Sequence, residues 1–526
     1  MIMEGTIYRA PTIWKGPKRR LGGEGVAPNG LSIVFVRIFT QRGELVYNES
    51  IPFLEMIGCL SMSVFGTTAQ PLRVAIIGAG PAGFYAAEHL LKQKIITIEV
   101  DLYDRLPTPF GLVRGGVAPD HQKIKSVTAI YDKTAKNPAF RFFGNVTFGR
   151  DLTLSDVQQH YNAVIFTVGA QTDKRLGIPG EDLPESHAAT EFVGWYNGHP
   201  DYRHLKFDLS QERVAIIGVG NVAMDVARIL ARSQAELDAT DIAPYAQEEL
   251  AKSKIREIYI LGRRGPAQAA FTNPEIKELG EMQDADVIVA PSEVVLDAAS
   301  AAYLASPQAE RSEIRNVEIL REYTTRTPAG KPKQLIFRFL ASPTEILGTE
   351  QVEGLKIVKN EMVQADNDEI RPRATDQIEV LPVGLVFRSV GYYGVALPDV
   401  PFDAKKGVIP NTMGRVQAQS GGDIVVGEYV AGWIKRGPSG VIGTNKQDAV
   451  ETANLLIADA EAGQMWQPAT PQPEIISALL RERGVRVVTY ADWQCLDDLE
   501  EAKAQGTARP RVKFTEVEAM LAALDE

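Results

Sequence analysis

The sequence predicts an α/β protein of two doubly wound, largely parallel units, the second inserted into the first. Three observations predict it. Val74-Ala75-Ile76-Ile77 runs into Gly78-Ala79-Gly80-Pro81-Ala82-Gly83 and a helical pattern through Leu91. The same device returns at Arg213–Arg228, with Ala223 in the third glycine position. Two apolar runs followed by glycine, Ala163–Gly169 and Gly384–Tyr392, bracket that second copy.

In the first turn Gly78 permits the tight bend, Gly80 lets a phosphate group approach the backbone, and Gly83 lets strand and helix pack closely. Free N–H groups and the dipole at the helix start then favour an anion. The next strand, Val100–Asp104, ends in an acid 21 residues beyond Gly83, the placement for a ribose hydroxyl. Together these specify a Rossmann-like dinucleotide site.

The 526 residues suffice for two or three domains, and 44% hydrophobic with 23% charged content is ordinary for a globular enzyme. A net charge of −11 argues against a general nucleic-acid binder. Only two cysteines, Cys59 and Cys495, exclude a CxxC redox pair and a cysteine-ligated iron–sulfur cluster. No metal site is expected. Few cysteines and no convincing signal peptide point to the cytoplasm, with the mitochondrial matrix as the alternative. Ser32–Phe39 is too short to span a bilayer and carries Arg37; Ile51–Phe65 is short and interrupted by Glu55.

Residues 1–70 read as an N-terminal extension, disordered or non-native, with Met62 a plausible functional start. Residues 71–170 then form the first part of one domain, 171–380 the inserted domain, and 381–526 the second part of the first domain with a C-terminal tail. The loop Leu106–His121 is too apolar for an idle linker and lies where parallel sheets build their ligand crevice. Arg141–Phe143 reads as a third strand. In the second unit, Glu257–Leu261 ends in Gly262-Arg263-Arg264-Gly265-Pro266 instead of an acid. Paired guanidiniums suit a 2′-phosphate, which favours NADP(H) over NAD(H); the bland alternative is two surface arginines on a turn. Gln334–Phe339 and Gly354–Val358 are expected to complete the second sheet. Asp423–Asn445 is a strand and glycine-rich loop opening a helix over Lys446–Ala458, a source of backbone donors. In the tail, Gly484–Tyr490 reads as a strand between helices.

The blocks Pro109–Arg114 and Gly116–His121, the runs Gly220–Arg228 and Gly262–Pro266, and Gly432–Pro438 resemble adrenodoxin-type ferredoxin–NADP reductases. The likeness covers about residue 72 to the C-terminus. It implies an FAD domain built from two chain segments, an inserted NADP domain, and electron traffic between NADPH and a small iron–sulfur protein. It implies that Gly78, Gly80, Ala82, Gly83 and Asp104 bind the ADP half of FAD, and that Leu112, Val146, Trp433, Gly440, Val441 and Ile442 line the flavin. Gly218, Gly220, Asn221, Val222 and Ala223 fall to the NADP pyrophosphate, Arg263 and Arg264 to its 2′-phosphate, and Glu275 to the nicotinamide side, which Gly440 also touches. The match departs at Pro274, where the family shows varied residues.

The expected chemistry is hydride transfer to flavin N5, then single-electron steps to the partner. His121, Asp225 and Glu275 are the candidate polar groups beside the stacked rings. Equally open are a helix-capping role for His121 and a structural pairing for Asp225. Ferredoxins are usually acidic, so Arg114, Lys123, Lys125, Lys435 and Arg436 are the candidate docking residues, against plain solvated surface. The competing functions are an NADPH-dependent flavin monooxygenase, whose usual signature is absent, and a non-enzymatic dinucleotide-binding scaffold.

Overall fold

The computed structural model describes residues 65–364 and 370–525. The extension expected over 1–70 therefore lies outside the described residues up to 64. Residues 66–70 form a turn in which Gly66 N–H donates to Gln70 O, and Gly66 O accepts from Thr97 N–H.

In chain order, β1 (Leu72–Ile77), α1 (Pro81–Leu91), β2 (Ile98–Tyr103), β3 (Phe140–Phe143) and β4 (Ala163–Phe166) build the first layers. The short β5 (Thr172–Asp173) leads away to β6 (Ser186–Ala188), α2 (Ala189–Tyr196), β7 (Arg213–Ile217), α3 (Asn221–Ala231), β8 (Glu257–Gly262), α4 (Asn273–Leu279), β9 (Ala285–Ile288) and β10 (Lys333–Phe339). Next come β11 (Ala341–Leu347), β12 (Gly354–Gln364), β13 (Ile370–Leu381), β14 (Leu385–Arg388) and β15 (Tyr392–Tyr393). The chain then supplies β16 (Asn411–Thr412), β17 (Arg415–Gln417), β18 (Ile424–Val430) and α5 (Thr444–Glu461).

The first sheet has the order β16-β17-β18-β4-β1-β2-β3 and the second β6-β14-β7-β8-β10-β9. The second is parallel throughout, and the first is parallel except at β16–β17 and β17–β18. All six residues of β1 are buried, as a strand covered on both faces requires. The fold is thus two Rossmann-like units, with the second made from a segment interrupting the first. The crossing is a two-stranded antiparallel ribbon, Tyr392 opposite Asp173 and Tyr393 opposite Thr172.

Three expectations are corrected. Gly354–Val358 lies in a separate antiparallel sheet, β11-β12-β13, not in the second sheet. Only Leu340 separates β10 from β11, and only 348–353 separate β11 from β12, far too little for the crossover that parallel pairing needs. The apolar run before Gly391 pairs with β7 and belongs to the second sheet, so the chain returns after it, through β15, and not at 380/381. It echoes Ala163–Gly169 because β4 and β14 hold the same place, each beside a glycine-turn strand. Lastly, Gly484–Tyr490 forms no strand; Val488 makes an isolated bridge to Gly144.

Candidate functional site

The two glycine turns open on one cavity of about 1380 Å³. Each turn divides its glycines by task. A Cβ on Gly78 (φ +111°) would sit 2.7 Å from Thr167 O, and one on Gly83 would sit 2.3 Å from Gly78 O. On Gly218 (φ +138°) it would sit 2.1 Å from Ser389 O. A Cβ on Gly80 or Gly220, however, would meet no atom of the described residues within 4 Å apart from its chain neighbours. The outer positions are glycine because backbone crosses there; the middle ones leave room in the cavity. Neither α1 nor α3 has a side-chain cap at its start, so among the described residues no capping side chain occupies the first-turn N–H groups. That is an arrangement for phosphate, twice over. Helix α5 also starts at the cavity, at Gly443 and without a side-chain cap.

Ala82, Asn221 and Val222 line the cavity, whereas Gly83 and Ala223 do not and are buried beneath the turns. Asn221 Oδ1 accepts the Thr272 N–H at 2.8 Å, tying the second turn to the entry of α4. Asp104 closes β2 on the cavity wall. Its Oδ2 accepts from Ala79 N–H at 2.9 Å and its Oδ1 from Leu106 N–H at 3.0 Å. Burial raises its pKa against the pull of these two donors. The carboxylate is therefore aimed before any ligand arrives, and each oxygen retains capacity for another hydrogen bond.

The loop Leu106–His121 is pressed onto the first turn by a residue the sequence reading did not single out. Phe110 has φ +83°, costly for an aromatic residue. Its N–H donates to Ala79 O at 2.8 Å. Its ring packs 5.5 Å from Phe84 and 5.7 Å from Trp493, and such burial, worth about 1.5–3 kcal/mol, offsets the strain. Leu112, within this loop, and Val146 both lie on the cavity wall.

Arg263 and Arg264 follow β8, line the cavity and are exposed. Their backbone is fixed: Asn360 Nδ2 donates to Arg263 O at 2.7 Å, and Leu340 N–H to Arg264 O at 3.1 Å. Among the described residues neither guanidinium has a protein partner. Trp433 also lines the cavity and is half-buried, with its ring 5.1 Å from Tyr392 and its Nε1 donating to Ser439 O at 3.2 Å. Gly440, Val441 and Ile442 complete that wall.

His121, Asp225 and Glu275 also line the cavity and come together. His121 Nδ1 is 3.8 Å from both acids, and its Nε2 is 2.9 Å from Glu278 Oε2. The imidazole does not cap the short helix that follows it. Asp225 does pair with an arginine neighbour, Arg228, at 2.5 Å, and lines the cavity as well. Burial raises the pKa of Asp225 despite Arg228, and raises that of Glu275 together with the charge on Asp225. Burial is the largest influence on His121 and lowers its pKa, but the Glu278 hydrogen bond and the charges of Asp120 and Asp225 together outweigh it, and the net shift is upward. Ligand atoms of His121, Asp225 and Glu275 lie within 4.8 Å of one another, a spacing that suits a metal. The Arg228 guanidinium, bonded to both acids, already supplies the positive charge there. Pro274 sits in the first turn of α4, where its missing N–H costs nothing.

The expected docking residues are corrected. Arg114 pairs with Glu500, Lys125 with Asp241 at 2.7 Å, Lys435 with Asp448 at 2.9 Å, and Arg436 with Asp448 at 3.0 Å. All four are largely buried; Lys123 alone of the set is exposed. Lys435 and Arg436 instead brace the glycine-rich loop against α5. Missed entirely were Asp120, Arg232 and Glu278, which with Arg228 surround the His121 cluster. The i,i+3 spacing of Asp225 and Arg228 was the one local hint.

Among the described residues no helix is long and apolar enough to cross a membrane. The pyridine nucleotide-disulphide oxidoreductase family profile matches residues 72–265. NADPH-ferredoxin reductase FprA of Mycobacterium leprae is 45% identical over 455 residues, covering 85% of this chain and 97% of the relative. The mitochondrial NADPH:adrenodoxin oxidoreductase of Salvelinus fontinalis is 40% identical over 468 residues, covering 86% and 91%. Among solved structures, Mycobacterium tuberculosis FprA in complex with NADPH superimposes with a TM-score of 0.82 at 43% identity, covering 87% of this chain and all of that one.

Proposed function

The chain belongs to the family of NADPH–ferredoxin and adrenodoxin reductases, and from that premise we propose how its cavity serves their reaction. The protein is an FAD-dependent oxidoreductase that moves electrons between NADPH and a small iron–sulfur protein. Gly78, Gly80 and Ala82 hold the FAD pyrophosphate at the start of α1, and Asp104 takes a ribose hydroxyl. Leu112, Val146, Trp433 and the Gly440–Ile442 loop enclose the flavin. Gly218, Gly220, Asn221 and Val222 seat the NADP pyrophosphate at α3, with Ala223 packed beneath the turn and Arg263 and Arg264 on the 2′-phosphate. Bound FAD supplies what no side chain here offers, exchange between a hydride and single electrons.

The carrying observation is that the middle glycine of both turns faces open room in one shared cavity. Two dinucleotides so held would share that cavity, with room for their reactive ends to meet. The protein's own work is orientation and charge: uncapped N–H groups for phosphates, paired guanidiniums for the 2′-phosphate, and apolar walls that exclude water. Oxidation of NADPH by one-electron acceptors leaves a proton behind. Asp225 and Glu275, with raised pKa values on the cavity wall, are placed to receive it, and His121 to relay it. The reading sets the enzyme in the cytoplasm, supported by its low cysteine content.

Purified protein should be yellow and bleach with NADPH far faster than with NADH. It should also reduce cytochrome c in a ferredoxin-dependent way. Substrate-dependent oxygen uptake would favour the monooxygenase instead, and a colourless chain that refuses FAD would defeat the reading.

A further inference from the structure

The loop Leu106–His121 and helix α3 reach the cavity from opposite sheets, and two side chains that do not line it join them. Asp120 stands at the end of the loop with its side chain 5% exposed; Arg228, 0% exposed, lies one turn beyond Asp225 on α3. Arg228 Nε donates to Asp120 Oδ2 at 2.6 Å and Nη2 to Oδ1 at 3.2 Å. Arg232 Nε reaches the same Oδ2 at 2.6 Å. The far side of the Arg228 guanidinium holds Glu275 Oε2 at 2.9 Å and Asp225 Oδ1 at 2.5 Å.

This geometry fixes more than a distance. A planar fork on both oxygens of a carboxylate sets rotation as well as separation, which a point charge would not. The two arginines hold the Asp120 pKa below the ordinary carboxylate range in spite of burial, so the contact stays ionic at any working pH. Next to the joint in sequence are residues that do face the cavity: Ala118 and His121 on the loop, Asn221 and Asp225 on α3.

We propose that the Asp120–Arg228 pair sets how the nicotinamide of a nucleotide held by its pyrophosphate at α3 meets the flavin walled by the loop. Both are positioning residues for hydride transfer. The inference rests on the reductase reading above. Each dinucleotide site is built largely within its own sheet, so opening the fork leaves both sites formed but lets their relation drift. Hydride transfer needs near contact of the reacting atoms, and a misplacement of about 1 Å costs about 100-fold in rate.

The test uses holoenzyme of Asp120→Asn, Asp120→Glu, Arg228→Lys and Arg232→Lys. For Asp120→Asn we expect FAD content and NADP+ affinity, titrated by flavin absorbance, to stay within about threefold of wild type. NADPH-driven bleaching in stopped flow should slow about 30- to 100-fold. The long-wavelength absorbance of NADP+ stacked on reduced flavin should fade, and amide exchange over 117–122 in the FAD-free chain should quicken. Asp120→Glu should recover part of the rate, and Arg232→Lys, which leaves the Arg228 fork in place, should cost less than about fivefold. An unchanged bleaching rate in Asp120→Asn overturns the proposal. So does a rate loss matched by equal loss of FAD or NADP+ affinity, the mark of a merely structural role. Should Asp120→Asn not fold, Arg228→Lys, which keeps the charge and loses the fork, decides by the same readouts. If wild type itself fails to bleach with NADPH, the reductase reading falls instead.

Discussion

Arg263 and Arg264 carry the choice between NADPH and NADH, and replacing both by alanine should expose its size. The cofactors differ only by the 2′-phosphate, so contacts to it appear in one and vanish in the other. Both guanidiniums are exposed on the cavity rim, so each contact is held to the low end of a charge-assisted hydrogen bond, about 1.5 kcal/mol. The pair then supplies about 3 kcal/mol, or about 150-fold in kcat/KM for NADPH, and each single substitution about 12-fold. With NADH the double variant should stay within about threefold of wild type. Initial rates with a one-electron acceptor, taken at fixed ionic strength with both nucleotides, read this directly. Asn360→Ala releases the Arg263 carbonyl and should give a smaller loss confined to NADPH. Equal losses with both nucleotides, or an unmoved preference, would refute the assignment.

Gly80→Ala puts a methyl where, among the described residues, only its chain neighbours lie within 4 Å, so the FAD-free chain should melt like wild type while FAD affinity drops about tenfold or more. Gly83→Ala meets Gly78 O at 2.3 Å and should instead destabilise the FAD-free chain by about 1–3 kcal/mol in denaturant titrations. Glu428 is buried, its Oε2 has no hydrogen-bond partner among the described residues, and burial pushes its pKa from 4.5 up to about 7. The folded chain then holds a proton that the unfolded one has released, so stability falls as pH rises from 4.5 to 7. Glu428→Gln should therefore gain about 3 kcal/mol at pH 8 and nothing at pH 4 in thermal melts. Arg436→Gln loses contacts to Asp448 and Asn445 and should release FAD about tenfold faster on dilution, read by flavin fluorescence. If FAD stays bound and the ferredoxin KM rises instead, Arg436 is a docking residue after all.

The glycine turns were legible because their constraints are local: a bend, a crossing carbonyl and an open face each demand glycine at a fixed spacing. The arginine pair was legible for the same reason, since the strand ends where an acid would otherwise stand. Sheet membership was less so. An apolar run reads the same in either sheet, and only the short connections around β11 betray the antiparallel turn. Charge pairing was hidden. Arg114 meets Glu500 across 386 positions and Lys125 meets Asp241 across 116, and a lysine looks alike in sequence whether solvated or locked. Asp120 escaped notice because its partners lie on a helix more than a hundred residues away. Phe110 escaped because a strained backbone leaves no trace in composition.

The ribbon of Thr172–Asp173 against Tyr392–Tyr393 makes the ends of the intervening segment abut. A cassette whose two ends touch can be lifted out, closed on itself, or exchanged for a counterpart with no cut through either sheet. Nucleotide preference thus becomes a transplantable trait, open to grafting while the yellow half of the molecule stays as it was.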